Sequence, residues 1–152
     1  MTTLFATIHH LAVLTLLGCT LASIVQLGRP FNLPRAHRLR TIDRLNGIAA
    51  TVVLVVGLVR AVYLEKGADY YLHNGPFIAK LALYGVASVL SLVPTLEMVR
   101  WRASLQQAVV PTVPAHQWAR LRVVAYLQLL CLFSMAACAS LAARGLGRLP
   151  LQ

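Results

Sequence analysis

The sequence predicts an all-α integral membrane protein: a bundle of four transmembrane helices forming a single membrane domain over residues 1–152, with both termini on the outer side. Three observations carry this expectation. Hydrophobic residues make up 59% of the chain and charged residues 12%, about half the charge of a soluble domain. The mean hydropathy is +0.72. The apolar residues gather in four runs, each long enough to cross about 30 Å of hydrocarbon. Spans of that length leave no room for a separate soluble domain.

The first run covers about residues 4–27. No Lys or Arg precedes it, and it exceeds the apolar length of a secretory signal, so it is expected to be a retained helix. In the basic stretch that follows, Pro30 and Pro34 are expected to break the helix. The second span is expected at about 45–64, around an uninterrupted apolar stretch from Gly47 to Val59. A polar loop holding Glu65, Lys66 and Asp69 leads to a third span at about 76–98, where Pro76 suits a first helical turn and Pro94 is expected to introduce a bend. The fourth span is expected at about 118–143.

Small residues four apart (Gly47/Thr51, Gly57/Ala61, Ala136/Ser140 and Ala139/Ala143) are expected to let helix backbones approach closely in lipid. Cys19, Cys131 and Cys138 all fall inside apolar runs, without the spacing of a metal or redox motif, and are read as packing residues.

The net charge is +10, from 14 Lys and Arg against 4 Asp and Glu. In a soluble chain this would point to nucleic acid. Here the cations flank the apolar runs, so the partner is the lipid bilayer and nucleic acid is excluded. Arg29, Arg35, Arg38, Arg40, Arg44, Arg100, Arg102, Arg120 and Arg122 belong to the first and third loops and their flanks. Only Lys66, Arg144 and Arg148 belong to the other side. The positive-inside rule then places the first and third loops in the cytoplasm and both termini outside.

Polar groups inside a bilayer are costly, so their depth is informative. His9 and His10 lie about two turns into the first span, Arg60 about one turn before the end of the second, and Lys80 about one turn into the third. With alternating helix directions, all four fall within about 10 Å of one interface. Imidazole ligates metals and haem iron, and Arg and Lys bind carboxylates or phosphates. The four are therefore candidate binding residues for haem, a metal ion or a small anion. Glu65, Tyr70, Tyr71 and Asn74 are further candidates in the adjoining loop, where Tyr63, Tyr70 and Tyr71 also suit an aromatic belt. At the opposite face, Asp43, Arg44, Asn46, Glu97 and Arg100 form a second polar group, with an expected Glu97–Arg100 ion pair. Arg100-Trp101-Arg102 is expected to anchor the membrane edge. A nucleophile paired with a base, a phosphate-binding glycine loop and an HExxH motif are absent from the sequence, so hydrolase or kinase chemistry has no support.

Arg60, Glu65-Lys66-Gly67, Tyr70-Tyr71, Asn74, Phe77, Lys80, Pro94-Thr95 and Arg100-Trp101-Arg102, together with the HHLAV stretch at His9–Val13, resemble the pattern of a bacterial four-helix inner-membrane family of unknown function. The arrangement is more distantly similar to the haem-containing four-helix protoporphyrinogen oxidase and to copper-resistance membrane proteins. That similarity matches His9 to a His near the start of the first helix and Lys80 to a basic residue of a later one. Ile78 stands where the oxidase carries a His, so the resemblance implies haem binding rather than the oxidase reaction. A homo-oligomer or a larger membrane complex is compatible with so small a bundle.

The charge asymmetry predicts that reporters active only outside the cytoplasm will be active when fused at either terminus and silent in the loop following Val110. Activity at Val110 would reverse the assigned orientation.

Overall fold

The computed structural model describes residues 2–64 and 73–144. Every long element is helical: α1 Thr2–Leu27, α2 Leu33–Val59 continued by a π-helical turn Arg60–Leu64, α3 Gly75–Arg100, a short α4 Arg102–Gln106, and α5 Ala115–Ala143. Four of these are long and apolar enough to cross a membrane. The 26 residues of α1 extend about 39 Å at 1.5 Å per residue, more than the hydrocarbon core requires. The exterior is apolar, with Leu4, Leu11, Leu14, Ile48, Val89 and Leu130 exposed, whereas His9, Thr20, Asn74 and Glu97 are buried. This is the distribution lipid selects, because polar groups must find their partners inside the bundle.

The second helix begins well before the expected span. The stretch 33–44 is helical rather than a loop, and Pro34 lies in its first turn. A first-turn proline lacks only an N–H that has no intrahelical acceptor, and its ring presets the helical φ. Asn32 caps the turn, its side chain accepting from Arg35 N at 3.0 Å. The break expected at two prolines therefore shrinks to a short linker around Pro30. The third and fourth spans also start slightly earlier than expected, at Gly75 and Ala115. Pro94 lies within the continuous α3.

The helices pair as α1 with α2 and α3 with α5, and α1 against α5 joins the two pairs. Between α2 and α3 the contact is thinner, and two polar bonds cross it. The Tyr84 hydroxyl donates to Ala50 O at 2.8 Å, and the Thr95 hydroxyl donates to the Asp43 carboxylate at 3.1 Å.

The core sits at the arginine-rich end. Leu27, Ala36, Leu39, Met98, Trp101, Leu105, Leu121 and Ala125 form one buried cluster there. Phe31, from the linker, lies 5.2 Å from Trp101 and 4.9 Å from Trp118 between ring centroids. The two indoles stack at 6.5 Å with 20° between their planes. Trp101 is only 4% exposed, so it packs in the core instead of anchoring the membrane edge. The expected Glu97–Arg100 ion pair is present at 2.8 Å. Cys19 and Cys131 are buried and Cys138 is half-buried, all as free thiols.

The small-residue pairs divide. Gly57, Ala61, Ala139 and Ala143 face a cavity at the other end. Gly47, Thr51, Ala136 and Ser140 lie exposed on the outer surface, so four-residue spacing alone did not mark helix contacts within this chain.

After α4 the chain reverses at Ala108, whose φ is 56°. Val109 N donates to Ser104 O at 2.9 Å and Ala108 N to Leu105 O at 3.3 Å, closing the helix with the paired bonds that a left-handed residue allows. Alanine is strained there by about 1–2 kcal/mol. Ala108→Gly is therefore expected to stabilise the protein by about 1 kcal/mol, read as a raised unfolding midpoint in mild detergent.

Candidate functional site

At the end opposite the aromatic core the helices diverge around a cavity of about 250 Å³. His9 and His10 reach it from α1, Gly57 from α2, Arg60 and Ala61 from the π-helical turn, Phe77 and Lys80 from α3, and Ala139, Ala142 and Ala143 from α5. The four residues singled out by depth thus line one space. Five small residues line it with them (Gly57, Ala61, Ala139, Ala142 and Ala143), and they are the reason there is space at all. Their signal was present in the sequence as small residues at helical spacing, which reads equally well as packing.

The two histidines differ in setting. His9 is 9% exposed and turns into the bundle; His10 is exposed. Their rings meet edge to face at 6.1 Å and 78°. The ring of His9 lies over Gly57, where an added Cβ would come within 3.0 Å of Cε1 and 3.5 Å of Nδ1. Nδ1 of His10 lies 2.7 Å from Ala6 O. A carbonyl only accepts, so this contact places the proton on Nδ1 and leaves Nε2 of the neutral ring with a lone pair, the tautomer a metal ligand requires.

Arg60 opens the π-helical turn. A π turn inserts an extra residue per hydrogen-bonded ring, and such turns recur at functional sites. Here it carries both Arg60 and the buried Ala61 to the cavity wall. Lys80 lies about one turn into α3, which Asn74 starts: its side chain accepts from Phe77 N at 3.0 Å. Asn74 is wholly buried and caps the start of α3. Glu65, Tyr70 and Tyr71, the remaining candidates, lie outside the described residues, as do Lys66 and Asp69. Among the described residues, no three of His, Cys, Asp and Glu come together as a metal-binding set.

Two smaller cavities continue along the bundle axis. One of about 40 Å³ is lined by Leu16, Tyr84, Ser88 and Ser91, and one of about 30 Å³ by Asp43, Pro94 and Met98. Thr20, Asn46 and Gln128 border both. The side-chain oxygen of Asn46 is buried with no hydrogen-bond partner among the described residues. The polar group expected at the arginine-rich face therefore separates. Asp43 and Asn46 turn inward toward these cavities, and Glu97 pairs locally with Arg100.

A family model described as predicted membrane protein (DUF2214) matches residues 1–147, and the chain belongs to that family. No curated protein and no solved structure matches it.

The glycines of α2 give a test of the cavity wall. Nothing lies within 4 Å of a Cβ added at Gly47, so Gly47→Ala is expected to stabilise the helix by about 0.5–1 kcal/mol. Gly57→Ala gains the same propensity but presses on His9. It is expected to give a lower unfolding midpoint than Gly47→Ala and to shift the His9 ring resonances. Equal midpoints with an unmoved His9 would show that the ring does not depend on the missing side chain.

Proposed function

We propose that this member of the DUF2214 membrane family binds haem or a related tetrapyrrole in the cavity at its histidine end. The observation that carries the reading is the convergence of His9, Arg60 and Lys80, from three helices, on one cavity whose wall is kept open by Gly57. The donor set fits such a group. An iron macrocycle supplies four nitrogen ligands of its own and needs only one or two imidazoles from the protein. His9, the buried ring, is the ligand of choice, and His10 presents Nε2 beside it. Arg60 and Lys80 match the carboxylates of a tetrapyrrole. Bound haem would supply one-electron chemistry. The chain's part is to hold the ligand, pair its carboxylates and exclude water with the alanine wall of α5.

The same proposal places the protein in a bacterial inner membrane, with the cavity facing outward and both termini outside. The support is the arginine asymmetry of the loops.

A second reading is favoured by the two small cavities below the site that Thr20, Asn46 and Gln128 border. An oligomer would pass or sense a small anion or metal ion, with Arg60 and Lys80 at the entrance and Thr20, Asn46 and Gln128 further along. In this reading, or as an accessory subunit of a larger membrane complex, the chain acts through partners.

An absorption spectrum of the purified protein separates the two. The tetrapyrrole reading expects a Soret band as purified or after adding haem, lost in His9→Ala and weakened in Arg60→Ala with Lys80→Ala. No Soret band under either condition would sink it. Loss of anion or metal uptake into proteoliposomes in the Arg60 and Lys80 variants would then favour the second reading, and unchanged uptake would count against it.

A further inference from the structure

A recess at the arginine-rich end is distinct from the histidine cavity and shares no lining residue with it. It measures about 480 Å³ and opens between the α1–α2 linker and the start of α5. Arg29 and Arg122 stand on its border; Phe31, Trp118, Val113 and Ala119 supply its apolar wall. We propose that this recess binds the phosphate-bearing headgroup of an anionic phospholipid, with the two guanidinium groups on the phosphate and the aromatic wall against the lipid's glycerol and upper acyl region.

The recess is built rather than incidental. Leu27 ends α1, so its carbonyl has no donor within the helix. Two side chains of α5 satisfy it: Trp118 Nε1 at 3.1 Å and Arg122 Nε at 3.2 Å. That shared acceptor fixes both residues. Arg122 uses one of its five N–H donors in this way and keeps four for an anion. Phe31 is held against Trp118 and Trp101, so the apolar wall is set before any ligand arrives.

Charge identifies the ligand class. Nine arginines occupy the loops and flanks at this end, against Asp43 and Glu97. Glu97 pairs with Arg100, and Asp43 accepts from Thr95. Among the described residues neither Arg29 nor Arg122 makes an ion pair. Planar guanidinium forks match phosphate oxygens, and basic recesses between transmembrane helices at headgroup level take anionic lipid heads. Free phosphate offers the same oxygens, but it has no part that would use Phe31 and Trp118. An anionic lipid uses both halves of the recess.

Lipid binding to the delipidated protein in mild detergent, counted by native mass spectrometry, tests the proposal. Phosphatidylglycerol is expected to bind in preference to phosphatidylcholine, and inorganic phosphate is expected not to displace it. Arg29→Gln is expected to weaken phosphatidylglycerol binding about fivefold. Arg120→Gln, beside the recess but not lining it, is expected to leave binding unchanged. Arg122→Gln also breaks the bond to Leu27, so Arg29→Gln is the deciding variant. Three results would overturn the proposal: equal binding of the two lipids, Arg29→Gln binding like wild type, or displacement of the lipid by inorganic phosphate. The last would assign the recess to a free anion.

Discussion

Helices in a bilayer gain nothing by hiding apolar surface from lipid, because lipid tails are as apolar as leucine. What joins them is close packing and the few polar bonds that have no alternative partner. In this chain one such bond organises one end of the bundle. The last carbonyl of α1, at Leu27, must be satisfied from outside its own helix, and α5 answers it twice, through Trp118 and Arg122. The bracket joins the first and last long helices, and the Phe31–Trp101–Trp118 cluster and the buried leucines close around it. Breaking it would give up two hydrogen bonds, each contributing about 0.5–1.5 kcal/mol.

A bundle whose core is packed at one end can part at the other. The helices there present Gly57, Ala61, Ala139, Ala142 and Ala143 to one another, too little side chain to fill the gap, and the result is a cavity. Into that gap the chain directs His9, Arg60 and Lys80, groups that would be costly facing lipid. Between the two ends runs a seam of Thr20, Asn46 and Gln128, bordered by small cavities. The α2–α3 contact is held by side-chain bonds from Tyr84 and Thr95 where packing is thin. The core is thus graded along its axis from aromatic side chains to small ones.

Several details escaped the sequence for identifiable reasons. Pro34 reads as a breaker from spacing alone; it becomes a helix start because Asn32 precedes it and supplies the cap. Trp101, flanked by arginines, has the composition of an interfacial anchor, yet Phe31 and Trp118, distant in sequence, enclose it. Gly47/Thr51 and Gly57/Ala61 share one spacing on one helix, but only the second pair faces the bundle, since a rotation of the helix decides which side its neighbours cover. The same rotation distinguishes His9 from His10: adjacent residues point about 100° apart, and nothing local says which one turns inward.

Apolar run length and residue position were enough to establish the class of the protein and the height of its polar groups along each helix. Both follow from one-dimensional facts: runs of apolar residues long enough to span hydrocarbon, and a position along each run that converts to height at 1.5 Å per residue. Four helices, and His9, His10, Arg60 and Lys80 at a common level, were legible on that basis. Tertiary structure alone decided azimuth. It turned His9 over Gly57, put Arg60 on a π turn at the cavity wall, buried Trp101, made Asn74 a cap and set Arg29 and Arg122 on one recess. Height is read along a single helix, whereas facing depends on where the other helices stand, and that is settled only when all of them pack at once.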